Sequence, residues 1–397
     1  MAGSPSYAVP MTSPLLTATE ETLRTDRTSV KWVAYPPDVL PLWVAEMDVA
    51  PCPAVVRAVG DAMARGDTGY GWGPRYAAEV ARYAAHRWAW EIDVASTQVV
   101  TDVMIGVSEM LRLLTDDGGP VVVSPPVYDS FFGFVEAIGR RRLDAPLGAD
   151  GRLDLDVLSA VFREATASGE RAAYLLCNPQ NPTGTVHSPE ELTALAALAA
   201  EHGVRVVSDE IHAPVTYPGG PSTTPYLTVP GGERGVAVFS PSKAWNLAGL
   251  KSALVVAGSA AADDVARLHE VHTHGSSHLG EIAHVAALRD GREWQERLMV
   301  ELAANRDLLG RLLAEHLPQV RWTPPEATYL AWLDCRELDL GEDPAAVFRE
   351  RGRVALGSGP RYGADAGRGF VRLNLATSPA IVEEAVSRMT AAVSAGG

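Results

Sequence analysis

"GVAVFSPSKAWNLAGLK", residues Gly235–Lys251, decides how this chain is read. Gly235 to Phe239 is a short apolar run with the character of a buried strand. Such a strand ordinarily hands over to a plain loop. This one ends in Ser240, Ser242 and Lys243, with a second lysine, Lys251, further on. A lone lysine after a strand is usually a solvated structural residue. The meaning of Lys243 therefore rests on what else the fold brings to the same place.

Four further runs have the same texture: "PVVVSPP" (Pro120 to Pro126), "AAYLLCNP" (Ala172 to Pro179), "VRVVSDE" (Val204 to Glu210) and "SALVVAG" (Ser252 to Gly258). They are continuously apolar rather than alternating, as strands buried on both faces of an α/β sheet are. Between two of them Ser188 is an N-cap, Pro189 suits the first helical position, Glu191 completes a capping box and Gly203 closes the helix. A strand–helix–strand crossover of this kind gathers ligands at the carboxyl ends of its strands. After Glu293 the texture changes to one helix of roughly 25 residues, from its periodicity. "ATYLAWLDC" and "GFVRLNLA" then read as strands of a separate α+β unit. The expected fold is α/β, a large domain over 51–290 with a mostly parallel sheet sandwiched by helices, and a smaller α+β domain over 291–397. Residues 21–50 are expected to form an arm packing with the small domain. Residues 1–20, rich in Ser, Thr and Pro, are expected to be disordered.

The 397 residues carry 34 basic and 49 acidic side chains, a net charge of −15, and show no basic patch. That excludes a phosphate-backbone binder and so nucleic acid as a partner. No apolar run reaches membrane-spanning length, and the N-terminus lacks the basic and apolar regions of a signal peptide. The three cysteines, Cys52, Cys177 and Cys335, are far apart and odd in number. They read as reduced thiols of a cytoplasmic protein.

The strand ends carry the chemistry. One ends in "NPQNPTG", with Asn178, Asn181 and Gly184; the next in "SDEIH", with Asp209 and His212; the third in "SPSK". A lysine that condenses with an aldehyde cofactor also needs an acid for the cofactor's ring nitrogen and an anchor for its phosphate. These residues supply all three.

In this order and spacing the three motifs resemble fold-type I pyridoxal-phosphate (PLP) enzymes of the class I/II aminotransferase group. "LPLWVAEMDVAPCPAV" (Leu40 to Val55), "TGYGWG" (Thr68 to Gly73), "SPPVYDSFF" (Ser124 to Phe132), "PEATYLAWLDC" (Pro325 to Cys335) and "GFVRLNLATS" (Gly369 to Ser378) resemble its MalY/PatB-type branch of cystathionine β-lyases and related C–S lyases. The resemblance runs from about Thr22 to the end. It implies an aminotransferase-like fold and PLP bound to Lys243, which then removes the substrate Cα proton. It gives Asp209 the pyridine nitrogen, Asn181 the phenolic oxygen and Tyr128 the ring face. His212 either reaches the same oxygen or is a satisfied structural histidine. Ser240, Ser242, Lys251 and the backbone of Val103 and Met104, which open a helix, would hold the phosphate. Arg372 would grip the substrate carboxylate by a two-pronged fork, with Ala45 and Trp43 closing beside it; Trp43 is equally plausible as core. Tyr70 is either a packing residue or the tyrosine that reaches the phosphate of a neighbouring subunit, which would make the enzyme a homodimer with a shared site.

Two features depart from the pattern. Asp102 stands where the family has glycine; it is expected to cap the helix rather than face the phosphate. His272, His274, His278 and His284 form a cluster without a known metal-ligand spacing, and no metal is expected; His278 is expected near the substrate pocket. The branch implies β-elimination from L-cystathionine or another L-cysteine S-conjugate. An aminotransferase is the alternative outcome of the same residues, and a regulatory binding protein retaining the fold is a third.

Overall fold

The continuous apolar runs become the middle of one sheet. A computed structural model describes residues 13–394. Its strands, in chain order, are β1 Leu40–Pro41, β2 Thr97–Val100, β3 Pro120–Val123, β4 Arg141–Asp144, β5 Ala173–Cys177, β6 Arg205–Asp209, β7 Val236–Phe239, β8 Ala253–Ala257, β9 Arg321–Trp322, β10 Leu330–Asp334, β11 Val354–Ala355, β12 Gly357–Ser358 and β13 Phe370–Asn374. Seven of these form a sheet in the order β2-β8-β7-β6-β5-β3-β4. Neighbours from β7 to β4 run parallel, and β8 runs antiparallel to both β7 and β2. All five apolar runs are strands, and β3, β5 and β7 are buried along their whole length. Strand β4, "RRLD", escaped the sequence reading because its exposed arginines and aspartate lack an apolar pattern. It lies at the sheet edge, where charge blocks pairing with another chain.

The helix Pro189–His202 starts and stops as its caps dictate. The Ser188 hydroxyl accepts from the Glu191 N–H, the Glu191 carboxylate accepts from the Ser188 N–H, and Gly203 takes φ 69°. It joins β5 to β6, which pair in parallel register from Ala173↔Arg205 to Cys177↔Asp209. The carboxyl ends of β5, β6 and β7 therefore lie along one edge, and Asn181, His212 and Lys243 follow those ends.

The C-terminal unit is an antiparallel sheet in the order β12-β13-β10-β9, with Trp332 opposite Arg372. The helix Arg292–His316 spans 25 residues, as its periodicity predicts. The N-terminal arm joins this unit: β1 pairs in parallel with β11, and Asp38 binds Arg353 at 2.7 Å. The expectation of disorder to Glu20 is corrected from Ser13 onward. Leu15 and Leu16 are buried, and their N–H groups bond the Glu301 carboxylate at 2.8 to 2.9 Å. Two leucines, the carboxylate on the long helix and the Ala50 N–H, which donates to the Leu15 carbonyl at 3.2 Å, dock it. The rest of that expectation, residues 1–12, lies outside the described residues.

A buried ion pair fixes the arm. The Lys31 ammonium donates to Asp48 Oδ2 at 2.7 Å and to the Glu46 carbonyl at 3.1 Å, while Trp32 Nε1 donates to Asp48 Oδ1 at 2.8 Å. Both charged side chains are out of solvent. Removing one partner strands the other charge in a dry environment. Lys31→Met is expected to lower stability by about 3–5 kcal/mol. Adding Asp48→Leu should restore part of that loss. Urea unfolding of the two variants checks both expectations, and a Lys31→Met midpoint equal to that of the wild type would contradict them.

Candidate active site

The strand ends open onto a cleft of about 550 Å³. Its lining takes in the three strand-end motifs through Asn181, Asp209, His212, Ser240, Ser242 and Lys243. Val103, Met104, Tyr128, Lys251 and, from the arm, Trp43 and Ala45 join them. Arg372 enters from β13. Every residue that the resemblance gives to the cofactor or the substrate carboxylate thus lines one cavity, with Tyr70 the exception.

Lys243 follows β7 and donates from Nζ to the Ala45 carbonyl at 2.8 Å. Burial, and then the neighbouring Arg372, push its ammonium down to about 8. Asp209 ends β6 and accepts from the Ile211 N–H at 3.0 Å. Burial pushes its carboxyl up to about 7, against the opposing pull of that N–H and of Lys243. A buried carboxylate so placed favours a cation in the cleft. His212 is held neutral, its imidazole pushed down to about 3 by burial and by the charges of Lys243 and Arg372. Its Nδ1 is buried without a protein partner.

Arg372 is 4% exposed. Its guanidinium donates to Asn181 Oδ1 at 3.1 Å and to the Trp43 carbonyl at 2.9 Å, and lies 4.8 Å from the Tyr362 ring centroid. A guanidinium only donates, so it fixes the Asn181 oxygen toward itself and turns the amide nitrogen elsewhere as a donor. Arg372 Nε has no protein partner. Tyr128 lies edge-on to Phe131 at 5.7 Å and lines the cleft.

The other end of the cleft suits an anion. Helix Val103–Leu114 opens there, and the N–H groups of Val103 and Met104 have no acceptor within the helix. Asp102 caps it, as expected: Oδ1 accepts from the Ile105 N–H at 2.9 Å, and Oδ2 accepts from Lys251 Nζ at 2.8 Å. The acidic residue is therefore occupied by the cap and the lysine. Ser240 Oγ donates to the Ser252 carbonyl at 2.9 Å and accepts from the Ser242 N–H at 3.2 Å.

Tyr70 is 95% exposed and lies outside this chain's own cleft. The Glu281 carboxylate pins its loop by accepting from the Gly73 N–H at 3.1 Å and filling the space a Cβ on Gly71 would need. The histidines turn to separate partners: His272 to Glu109 at 3.1 Å, His278 to Asp67 at 3.0 Å, His284 to the Tyr76 hydroxyl at 3.4 Å. Among the described residues no three potential ligands cluster for a metal. Within this chain His278 and its Asp67 partner lie at a different cavity, beside Trp72.

The sequence reading missed several supports. Tyr329 donates to the same Ala45 carbonyl as Lys243, at 3.1 Å. Asn246 bonds both the N–H and the carbonyl of Met47, at 2.9 Å each. Asn374 donates to the Val44 and Glu46 carbonyls at 2.8 and 2.6 Å. Buried Glu210 accepts from Ser208 and from the Tyr226 N–H. All four lie inside or directly beside the quoted motifs, so the signal was present, but nothing in residue type or spacing names a carbonyl as the target.

The raised Asp209 carboxyl has a consequence for the cofactor-free protein. Its folded value of about 7 exceeds the ordinary 3.8, so its contribution to stability is complete below about pH 4 and is lost as pH rises through about 7. Asp209→Asn cannot titrate. Its melting temperature should fall less between pH 4 and 7 than that of the wild type. Glu210, raised in the same direction by burial, is present in both proteins. Parallel curves would contradict the burial argument.

Residues 37–389 match the family described as aminotransferase class I and II. A Mycobacterium tuberculosis protein provisionally named a cystathionine β-lyase is 52% identical over 399 residues, covering 95% of this chain and 98% of its own. The cystathionine β-lyase PatB of Bacillus subtilis is 32% identical over 389 residues, covering 94% of this chain and 98% of PatB. Among solved structures, a provisionally named PLP-dependent β-cystathionase of Corynebacterium diphtheriae superposes with a TM-score of 0.88 at 35% identity, over 96% of this chain and 99% of that one. With its mostly parallel sheet, its strand-end lysine and aspartate and these relatives, the chain belongs to the aminotransferase class I and II family, in the branch that holds the PatB-type cystathionine β-lyases.

Proposed function

We propose that the protein is a PLP-dependent C–S β-lyase that splits L-cystathionine or another L-cysteine S-conjugate into a thiol, pyruvate and ammonia. One observation carries the reading: an amine of lowered basicity, a buried carboxylate and a buried guanidinium share one cleft, Lys243, Asp209 and Arg372.

The residues present fit PLP. Asp209 is a buried acid whose charge needs a facing cation, which a protonated pyridine provides. His212 Nδ1 and the free Asn181 amide nitrogen offer polar atoms toward a ring substituent. The amides of Val103 and Met104, the hydroxyls of Ser240 and Ser242 and the charge of Lys251 suit a phosphate. Tyr128 offers an aromatic face.

Bound PLP supplies an aldehyde carbon that amines condense with and a ring that draws electrons from the substrate Cα. The chain supplies the rest. Asp209 keeps the proton on the ring nitrogen, where burial strengthens the ionic contact. Lys243 Nζ takes the Cα proton; a value near 8 leaves enough neutral amine for a base at neutral pH. Arg372 binds the α-carboxylate through its fork, and Asn181, the Trp43 carbonyl and the Tyr362 ring hold that fork still. As the Cβ–S bond breaks, sulfur leaves with the electron pair as a thiolate. Thiols ionise near 8.5, so no strong acid is required at this step. The three-carbon remainder takes up water to give pyruvate and ammonia.

The same reading makes the enzyme a cytoplasmic homodimer with a shared site. The exposed Tyr70 and Trp72, on a loop pinned by Glu281, are the side chains that would enter the neighbouring cleft. Among the described residues no helix is long and apolar enough to cross a membrane.

The purified protein should be yellow and release pyruvate from L-cystathionine. Lys243→Ala should lose the absorbance band of the lysine-bound cofactor and reduce pyruvate release by on the order of a thousandfold. A companion assay supplies an amino acid with a 2-oxo acid. Amino exchange without pyruvate would move the assignment to an aminotransferase. A colourless wild type that does not respond to added PLP would remove the assignment altogether.

A further inference from the structure

The cleft is lined by more charge than the reaction uses. Lys251 is paired with Asp102, and Arg361 with Asp129 at 2.9 Å. Lys243, Asp209 and Arg372 form the reaction centre. Two charged side chains of the lining remain, Asp343 and Arg349, at either end of the short helix Pro344–Arg351.

Both are underused by the protein. Asp343 is the N-cap of its helix. An N-cap aspartate normally accepts from the N–H of the second or third helical residue. Asp343 makes no such bond, and its Oδ1 is buried with no partner at all. The Arg349 side chain is 43% exposed, and the carboxylate within ion-pair reach, Glu350, stands 3.9 Å away on the neighbouring residue. Ala345 and Ala346, four and three residues before Arg349, share its helix face and also line the cleft. Their small side chains leave room there.

We propose that Asp343 and Arg349 form a specificity subsite for the thiol half of the substrate, binding the ammonium and the carboxylate of a second amino acid. The inference rests on the lyase reading and deepens it. A carboxylate without a partner accepts an ammonium. A guanidinium without a close anion accepts a carboxylate through two parallel bonds. Both ends of one zwitterion are served, while the α-carboxylate of the reacting half goes to Arg372. A thiol half bearing only an alkyl group satisfies neither charge and leaves Asp343 Oδ1 buried and unpaired, which disfavours it. The enzyme therefore selects conjugates whose leaving thiol is itself an amino acid.

The test compares L-cystathionine with S-ethyl-L-cysteine on the holoenzyme, reading pyruvate. Arg349→Gln and Asp343→Asn should each lower kcat/KM for L-cystathionine by about tenfold to a hundredfold, mostly through KM. S-ethyl-L-cysteine, with no distal charge, should change by less than about threefold. Equal losses on both substrates, or no loss on L-cystathionine, would overturn the subsite. A second arm measures binding of the same two compounds by calorimetry to PLP-loaded Lys243→Ala, alone and with each substitution. Selective weakening of L-cystathionine supports the subsite, and unselective or absent weakening overturns it. Should the wild type give pyruvate from neither compound, the lyase reading falls, and the binding arm still decides the subsite.

Discussion

One carbonyl oxygen organises the active cleft. Ala45 accepts from the Lys243 ammonium at 2.8 Å and from the Tyr329 hydroxyl at 3.1 Å. Lys243 hangs from the sheet, Tyr329 precedes β10 of the C-terminal unit, and Ala45 belongs to the N-terminal arm. Three distant parts of the chain therefore meet at the Lys243 amine. A carbonyl can only hold an amine in place if its own backbone cannot move. Lys31 and Asp48 fix one side of that loop through a dry ion pair, while Asn246 and Asn374 bond its peptide groups from two other directions. Buried ion pairs add little net stability, because desolvation offsets their attraction. Here the pair fixes geometry, which is the better-attested use of such contacts.

The same accounting of polar groups marks the cleft from the inside. Buried donors and acceptors in a folded chain are nearly always satisfied. His212 Nδ1, Arg372 Nε and Asp343 Oδ1 are buried without protein partners, and the residues that carry them line one cavity. Leaving such atoms unpaired costs free energy unless something outside the chain completes them. Such atoms also occur elsewhere in the fold, at Trp88 Nε1, His187 Nδ1 and Trp294 Nε1, whereas the capping box at Ser188 and the cap at Asp102 are complete.

How much of this was legible in the sequence follows from which forces leave a pattern. Strands buried on both faces leave uninterrupted apolar runs, and all five such runs are strands. The helix Pro189–His202 was legible from its caps. The direction of β8 was not, since burial is the same whichever way a central strand runs. The edge strand β4 carries charge in place of pattern. The docking of Leu15 and Leu16 depends on Glu301, nearly three hundred residues away, and composition averages two leucines out of view. Lys243 and Asp209 stood out because an amine and an acid at neighbouring strand ends are particular residue types, Arg372 came from the resemblance, and all three line one cleft. Tyr329, Asn246 and Asn374 act on peptide groups, which every residue has, so no residue type at the far end announces them.

Burial acts on the two central groups in opposite senses: it pushes Lys243 down to about 8 and Asp209 up to about 7. Each shift disfavours the charged form. The wider field adds a constraint. With a net charge of −15, the protein repels anions at a distance and draws cations, but a neutral zwitterion feels little of either. At physiological salt such long-range terms decay within about 8 Å in any case. An amino-acid conjugate with balanced charges must therefore be recognised at contact, group by group, and affinity has to come from guanidinium and carboxylate groups already held in position. The phosphate of the cofactor is different, since it is an anion entering an acidic protein. The opening of helix Val103–Leu114 would suit it: Asp102 is paired with Lys251 and held by the cap it makes, so no free negative charge stands beside the unpaired amides and the serine hydroxyls.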